Sequence, residues 1–512
     1  MPREGIFIHA PYERISAEQI QRIHLASMEI LQDPGLLSFN QEAATIFHDS
    51  GANVDKVYSG NTPCWQVKIP ESLVLEALKY APKTVKLGAR NLINTLEMKG
   101  DEPRVYLITG SETNIWLDVK YQTFVNKSNN AITIDIPEFL PRRGTIADLC
   151  DSAHVCEHLQ NVDGYIRTVN IQDRDISEEN KDANKFFASL NNTTKHVMSG
   201  LTTIRQLDNV IHMAEIIAGG NEQLRENPII SFITCLVKSP LQIVNDTTHT
   251  FMEICRKGLP VVVSSSPQAG TTAPIKEVGI IAQINAEVLA GIVLSQLVNK
   301  GTPVLYGSVP VRARMDTLGD SYGSIETSQY NIDCVQMARY YGLPNYSTSG
   351  VSDARIPGQQ SSIERLFSDI VVAMSGPQFL HCAFGLLDCN STFCLLQAVL
   401  DDAHFEMIKH FLAAPRISEK DLDMVLNQIR EVSKTQQKLF IPYIRPMLRS
   451  GELSPAYPYE GDLEHDNVFS LAYQRMDELL KKPVEHIDPA TIEKIFAEIP
   501  GLLPRLNTNN IE

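Results

Sequence analysis

The chain has 512 residues and carries 45 Lys and Arg against 61 Asp and Glu, a formal charge of −16; it is long enough for a large core or about three domains, and its sign excludes a groove that follows phosphate backbones. Its nine cysteines, at positions 64, 150, 156, 235, 255, 334, 382, 389 and 394, form no C-x-x-C spacing, which excludes a small disulfide scaffold and suits a reducing cytoplasm. The N-terminal MPREGIFIHAPYERIS lacks an apolar h-region, and the most apolar helix-length stretch, 280–298, is interrupted by Gln283, Asn285, Glu287 and Gln296, so a soluble cytoplasmic protein is expected, with no lipid-facing span.

Residues 1–100 read as a helical extension. Ile20, Ile23, Leu25, Met28, Ile30 and Leu31 recur at helical spacing until Asp33-Pro34-Gly35, and a second helix spans 71–80 before Ala81-Pro82. From there short apolar or β-branched runs, at 105–109, 164–169, 196–199, 229–234, 260–264, 303–306, 345–348 and 378–384, alternate with helical segments at 145–158, 180–190, 204–218, 242–256, 277–298, 325–341, 361–374 and 392–412. The 204–218 segment shows the logic: Ile204, Leu207, Val210, Ile211, Ala214 and Ile217 form one apolar stripe. Alternating segments at 114–120 and 131–134 predict a β-hairpin inserted into the first unit. The tail, 413–512, is helical again, with 421–439 and 468–480 as its clearest segments.

Eight strand-then-helix units over 101–412 fit a (β/α)8 TIM barrel with helical extensions at both ends, because parallel strands need crossover helices and closure removes sheet edges. A doubly wound open sheet satisfies the same alternation. In both, ligands lie beyond the C-terminal ends of the strands.

The familiar catalytic signatures are absent. No G-x-G-x-x-G, Walker A, H-E-x-x-H or G-x-S-x-G follows an expected strand. His154, Cys156 and His158 sit on one helix, yet Cys156 points away from the face the two histidines share, a poor metal geometry. Attention falls on the strand ends: the small polar loop 264–270 with Gln268, Tyr306 with Arg312 and Arg314 beyond it, the stretch 348–353 with Gly350, and His381 and Phe384. An arginine there would fork onto a carboxylate. Tyr106, Trp116, Tyr306, Tyr346 and Phe384 are rings available to box a quaternary ammonium, each contact contributing roughly 0.5–2 kcal/mol.

The segment 267–307, PQAGTTAPIKEVGIIAQINAEVLAGIVLSQLVNKGTPVLYG, resembles the hallmark of the trimethylamine methyltransferase family, whose members are (β/α)8 barrels that use corrinoid proteins as methyl acceptors. Segments 334–355, 381–402 and 69–91 agree in order. Trimethylamine enzymes of this family carry pyrrolysine near the seventh strand, whereas 348–353 here holds only ordinary residues. The resemblance therefore implies the branch acting on quaternary amines such as glycine betaine, proline betaine, carnitine or γ-butyrobetaine. On this reading no residue acts as acid, base or metal ligand. Tyr306, Phe384, Tyr106 and Trp116 cradle the cation, and His381, Arg312 or Gln268 holds a carboxylate. Gly350 and the 264–272 loop line the cavity. With no D-x-H-x-x-G pattern in the chain, the corrinoid is expected on a partner protein and no cofactor is tightly bound. Two competing readings are a barrel lyase or isomerase with 348–350 as an anion cradle, and a catalytically silent quaternary-amine sensor; the helical extensions also suit a homo-oligomer interface.

Overall fold

A computed structural model describes residues 3–125, 133–414, 417–436, 438–450, 457–460 and 468–507. Eight strands, each followed by a helix, run through its centre: β1 (Arg104–Leu107), α1 (Ile146–His158), β2 (Gly164–Ile166), α2 (Lys181–Asn192), β3 (His196–Ser199), α3 (Leu207–Ala218), β4 (Ile230–Thr234), α4 (Asn245–Lys257), β5 (Val261–Ser265), α5 (Glu277–Val298), β6 (Val304–Ser308), α6 (Ile325–Tyr340), β7 (Asn345–Thr348), α7 (Gln359–Met374), β8 (Phe379–His381) and α8 (Leu395–Leu412). They form one curled, mixed α/β sheet in the order β1-β8-β7-β6-β5-β4-β3-β2, all parallel, with Ile6–Phe7 added antiparallel to β1. A parallel bridge between Ile108 and Gly164, and the Asp163 N–H donated to the Leu107 carbonyl at 2.7 Å, set the start of β2 beside the end of β1.

Strands β3 and β7 occupy the expected residues. β6 runs on to Ser308, whereas β8 stops at His381 because Cys382 turns to φ 64° and leaves the extended region. The inserted hairpin pairs Ile115–Val125 with Thr133–Arg143, longer than 114–120 and 131–134; Ala131 and Ile132 lie outside the described residues. The first hundred residues are not purely helical. Besides Ala17–Gln32, Gln41–Asp49 and Glu71–Tyr80 they contain the antiparallel strands Leu36–Ser38, Asn53–Ser59 and Thr62–Lys68. The 53–59 strand escapes a hydrophobicity reading because it buries none of its residues fully.

Two apolar clusters straddle the sheet, and the period-2 alternation of each strand feeds both. The larger packs the sheet against its helices. The smaller lies on the concave face and joins Tyr106, Ile108, Ile166, Met198, Val262, Leu305, Tyr346 and Phe379 to the hairpin Thr84–Leu87/Leu96–Lys99 through Val85, Leu87, Leu96 and Met98. That hairpin sits under the N-terminal strand ends, where the Gly88 carbonyl meets His196 Nδ1 at 2.7 Å, so the concave face is plugged from below.

Helix α5 is long and apolar enough to cross a membrane, yet 89% of its apolar window is buried inside the fold. Its polar residues are satisfied there: Glu287 accepts from Ser239 at 2.7 Å, the Leu241 N–H at 3.0 Å, Gln283 at 3.0 Å, and Ser265. In the tail, Val468–Leu480 packs on α1 and α8, and the segment expected at 421–439 is a helix at Glu419–Lys434; Gln437 lies outside the described residues.

Candidate active site at the C-terminal edge of the sheet

The register of β7 with β8 sets Tyr346 opposite Phe379 and Thr348 opposite His381. The Tyr346 ring is stacked between its neighbours, 5.4 Å from Phe379 at 19° and 3.9 Å from His381 at 26°. His381 Nδ1 lies 2.8 Å from the Ser347 carbonyl, which assigns the ring N–H to Nδ1. The Thr348 hydroxyl is 3.1 Å from the same nitrogen. Burial lowers the imidazole to about 3, so His381 is neutral at physiological pH.

Around the Tyr346 phenol stand Cys382, Cys235 and Tyr322, and burial raises the phenol well above its ordinary range. Tyr322 stands beside the side chains of Asn390 and Ser266, and Cys235 beside that of Ser264. Cys235 is exposed to solvent, yet desolvation raises its thiol. Cys235 also lines a cavity of about 470 Å³ with Leu201, Thr202, Ile233, Thr234, Asp246 and His249. The side chains clustered around Tyr346 are therefore aromatic, hydroxyl and thiol groups that carry no charge near neutrality, an environment that holds a cation through ring faces.

Of the residues singled out in the sequence, His381 stacks in this cluster, and Gln268 donates through Nε2 to Asp320 at 2.7 Å and to the Leu318 carbonyl at 3.2 Å. Gly350 closes the back of the β7 turn. Its φ is 70°, its N–H donates to Ser368 Oγ at 3.1 Å, and a Cβ there would stand 2.8 Å from Asp369 Oδ1.

Four expected ring positions are corrected. Tyr306 faces the helices, its hydroxyl 2.9 Å from Asn285 of α5, because alternation turns Leu305 to the concave face instead. Phe384, beyond the end of β8, packs 5.1 Å from Phe405 of α8. Tyr106 is on the concave face but at its plugged end, bonded to the Glu97 carbonyl at 3.2 Å. Trp116 packs 5.6 Å from Phe393 and donates to Asp118 at 3.0 Å within the inserted sheet. Arg312 is paired with Glu326 at 3.0 Å and Arg314 with Asp316 at 2.9 Å. Tyr322 and Cys235 drew no attention in the sequence; their only signal is position just past a strand end or in a long loop.

The chain offers little to a phosphate at the seventh strand. The Thr348 N–H donates to Asn331 at 3.1 Å, that of Ser349 to the His381 carbonyl at 3.3 Å, and that of Gly350 is spent on Ser368. Ser265 and Ser266 are likewise bonded, to Glu287 and to the Val309 carbonyl. His154 donates toward the Leu479 carbonyl and Cys156 is fully buried with its thiol raised to about 12. Among the described residues no group of three or more His, Cys, Asp or Glu is placed to hold a metal.

The profile of the trimethylamine methyltransferase family matches residues 6–113 and 106–441. The chain is similar to trimethylamine methyltransferase MttB of Desulfitobacterium hafniense, 33% identical over 420 residues, which cover 81% of this chain and 78% of that one. It is 28% identical to the protein of the same name from Methanosarcina barkeri over 480 residues, 91% of this chain and 90% of the relative. A glycine betaine methyltransferase of Desulfitobacterium hafniense is 26% identical over 411 residues, 78% of each chain.

Proposed function

The chain belongs to the trimethylamine methyltransferase family, and from that premise we propose that it moves a methyl group from a quaternary amine, glycine betaine or a related betaine, to the cobalt(I) of a partner corrinoid protein. The observation that carries the reading is the neutral cluster of rings formed by Tyr346, His381 and Tyr322. A quaternary nitrogen is charged before it arrives. When one N–CH3 bond breaks, its electron pair stays on nitrogen, the amine leaves neutral, and the acceptor supplies the pair for the new carbon bond. No proton moves, so no acid or base is required. The protein's work is to hold the ammonium by ring faces, aim one methyl outward and exclude water. The acceptor is a second substrate carried by its own protein.

This reading takes the curled sheet as a closed (β/α)8 barrel spanning 101–412, flanked by extensions 1–100 and 413–512. The Ile108–Gly164 bridge and the Asp163–Leu107 hydrogen bond support closure, and the burial of α5 supports a soluble protein. The spent N–H groups of 348–350 argue against a phosphate-binding lyase or isomerase. Ordinary residues at 348–353 argue against trimethylamine as donor, although the relatives of higher identity bear that name.

A panel of quaternary and tertiary amines, each mixed with the protein and chemically reduced cobalamin, is followed by methylcobalamin absorbance. Methyl transfer from a betaine and from no tertiary amine is the expected result. Trimethylamine as sole donor would overturn it.

A further inference from the structure

A betaine has a carboxylate as well as an ammonium, and the groups first considered for it are already engaged: Arg312 and Arg314 are paired with acids, His381 is neutral, and Gln268 is held by Asp320. Another pair of cations stands at the same edge of the sheet. Arg167 follows β2 and keeps 2% of its side chain accessible; Lys185 of α2 keeps 1%. Glu112 spans them, with Oε2 2.6 Å from Arg167 Nη2 and Oε1 2.7 Å from Lys185 Nζ. We propose that Arg167 and Lys185 are a clamp for the substrate carboxylate, and that the Glu112 carboxylate is a resident stand-in which the substrate displaces. The proposal rests on the quaternary-amine reading above and narrows it to carboxylate-bearing donors.

Three observations carry it. Arg167 Nε and Nη1 are buried without a hydrogen-bond partner, the latter no closer than 3.8 Å to Asp182 Oδ1; buried charged donors left unsatisfied are rare, and a functional role is one accepted explanation for them. Asp182 is committed, accepting the Thr202 N–H at 2.7 Å, the Thr203 N–H at 3.1 Å and the Thr202 hydroxyl at 2.9 Å. Glu112 is the exchangeable partner, with 30% of its side chain accessible and facing a cavity of about 330 Å³.

Charge counting agrees. With Glu112 withdrawn, two cations face Asp182 alone, and one positive charge is left for one carboxylate. The neighbouring Lys181 is paired with Glu178. Trimethylamine, which has no carboxylate, brings nothing to this clamp, and a cation without an acid is repelled by it.

Position links the clamp to the ring cluster. Glu112 lies two residues after Gly110, whose Cβ position would be 3.3 Å from the His381 ring; two residues span at most about 7 Å. Between them Ser111 Oγ accepts from Asn390 at 3.1 Å, and Asn390 stands beside Tyr322. The cavity beside Glu112 borders, at Leu201 and Thr202, the one that reaches Cys235.

The test is calorimetric binding to the whole chain with glycine betaine and γ-butyrobetaine as carboxylate donors and tetramethylammonium as the cation without an acid. Removing one charge-assisted partner changes affinity by about tenfold or more. The ratio of betaine to tetramethylammonium affinity is expected to rise about tenfold in Glu112→Gln, where the stand-in is weakened, and to fall by as much in Arg167→Gln. These opposite directions are not produced by a general loss of structure, and Glu112→Gln at its accessible site keeps the test informative should Arg167→Gln fail to fold. Equal affinities for betaine and tetramethylammonium, with a ratio that Glu112→Gln does not move, would overturn the clamp while the quaternary-amine reading stands. Binding of no quaternary amine would overturn that reading and the clamp with it.

Discussion

His381 provides a measurement of how dry the ring cluster is. Its imidazole is held at about 3 against an ordinary 6.5, by burial. The neutral ring is thus favoured by the fold, and the unfolded chain binds the proton first as pH falls. Stability contributed by the neutral form is fully present above pH 6.5 and is lost progressively down to pH 3. At about 1.4 kcal/mol per pH unit, the loss from this residue is about 2 kcal/mol between pH 6.5 and 5, and approaches 5 kcal/mol by pH 3. His196, lowered to about 4 by burial at the plugged end, adds a slope of the same sign. Urea unfolding at pH 7.0, 6.5, 6.0, 5.5 and 5.0 reads the sum. His381→Gln retains an amide donor for the Ser347 carbonyl and has no titration, so its stability is expected to fall less steeply, by about 1.4 kcal/mol per pH unit below 6.5. Equal slopes for the two proteins would mean that His381 titrates as an imidazole in water, and the dry cluster would be refuted.

Two substitutions test the packing around the site. Gly350→Ala puts a Cβ 2.8 Å from Asp369 Oδ1 and 3.0 Å from the Cys382 carbonyl and Ala383 Cα, at a φ of 70°; a destabilisation of about 2–4 kcal/mol is expected in urea unfolding, and an unchanged midpoint would show that the turn adjusts freely. Tyr306→Phe removes a buried hydrogen bond to Asn285 and is expected to cost about 1 kcal/mol of stability while the KM for a methyl donor stays where it was; a raised KM would return Tyr306 to the site.

The eight strands were legible because each parallel strand is buried on both faces and so forms a short continuous apolar run, as at Val261-Val262-Val263. The same property hid the orientation of their side chains. Where both neighbours of a residue are apolar, nothing in the sequence says which face it takes, and Tyr306 was assigned to the concave face that Leu305 occupies. His381 is a candidate in the sequence because it falls toward the end of the eighth apolar run, 378–384. Tyr346 was noted as a ring near a strand end, but its stacking between Phe379 and His381 follows from a register fixed across two strands. The Arg167–Glu112–Lys185 cluster joins residues 55 and 73 positions apart, beyond the reach of any local pattern.

The ring cluster and the Arg167 clamp follow opposite electrostatic rules, and the difference explains the chemistry each can perform. Around Tyr346 every titratable group is pushed toward its neutral form: His381 downward, Tyr322, Cys235 and Cys382 upward, all chiefly by desolvation. A charge placed there by the protein would compete with the ammonium or demand its own counterion at a desolvation cost. Rings attract the cation without that competition, and as the C–N bond breaks the nitrogen loses its charge, so the attraction weakens just when the amine must leave. A cation bound by a carboxylate instead would be held hardest in the ground state, which raises the barrier. Around Arg167 the charges are fixed and paired, which suits a group that keeps its charge from arrival to departure. A carboxylate anchored there positions the ammonium without contributing to the energy of the bond that breaks, so its loss should raise KM more than it lowers kcat.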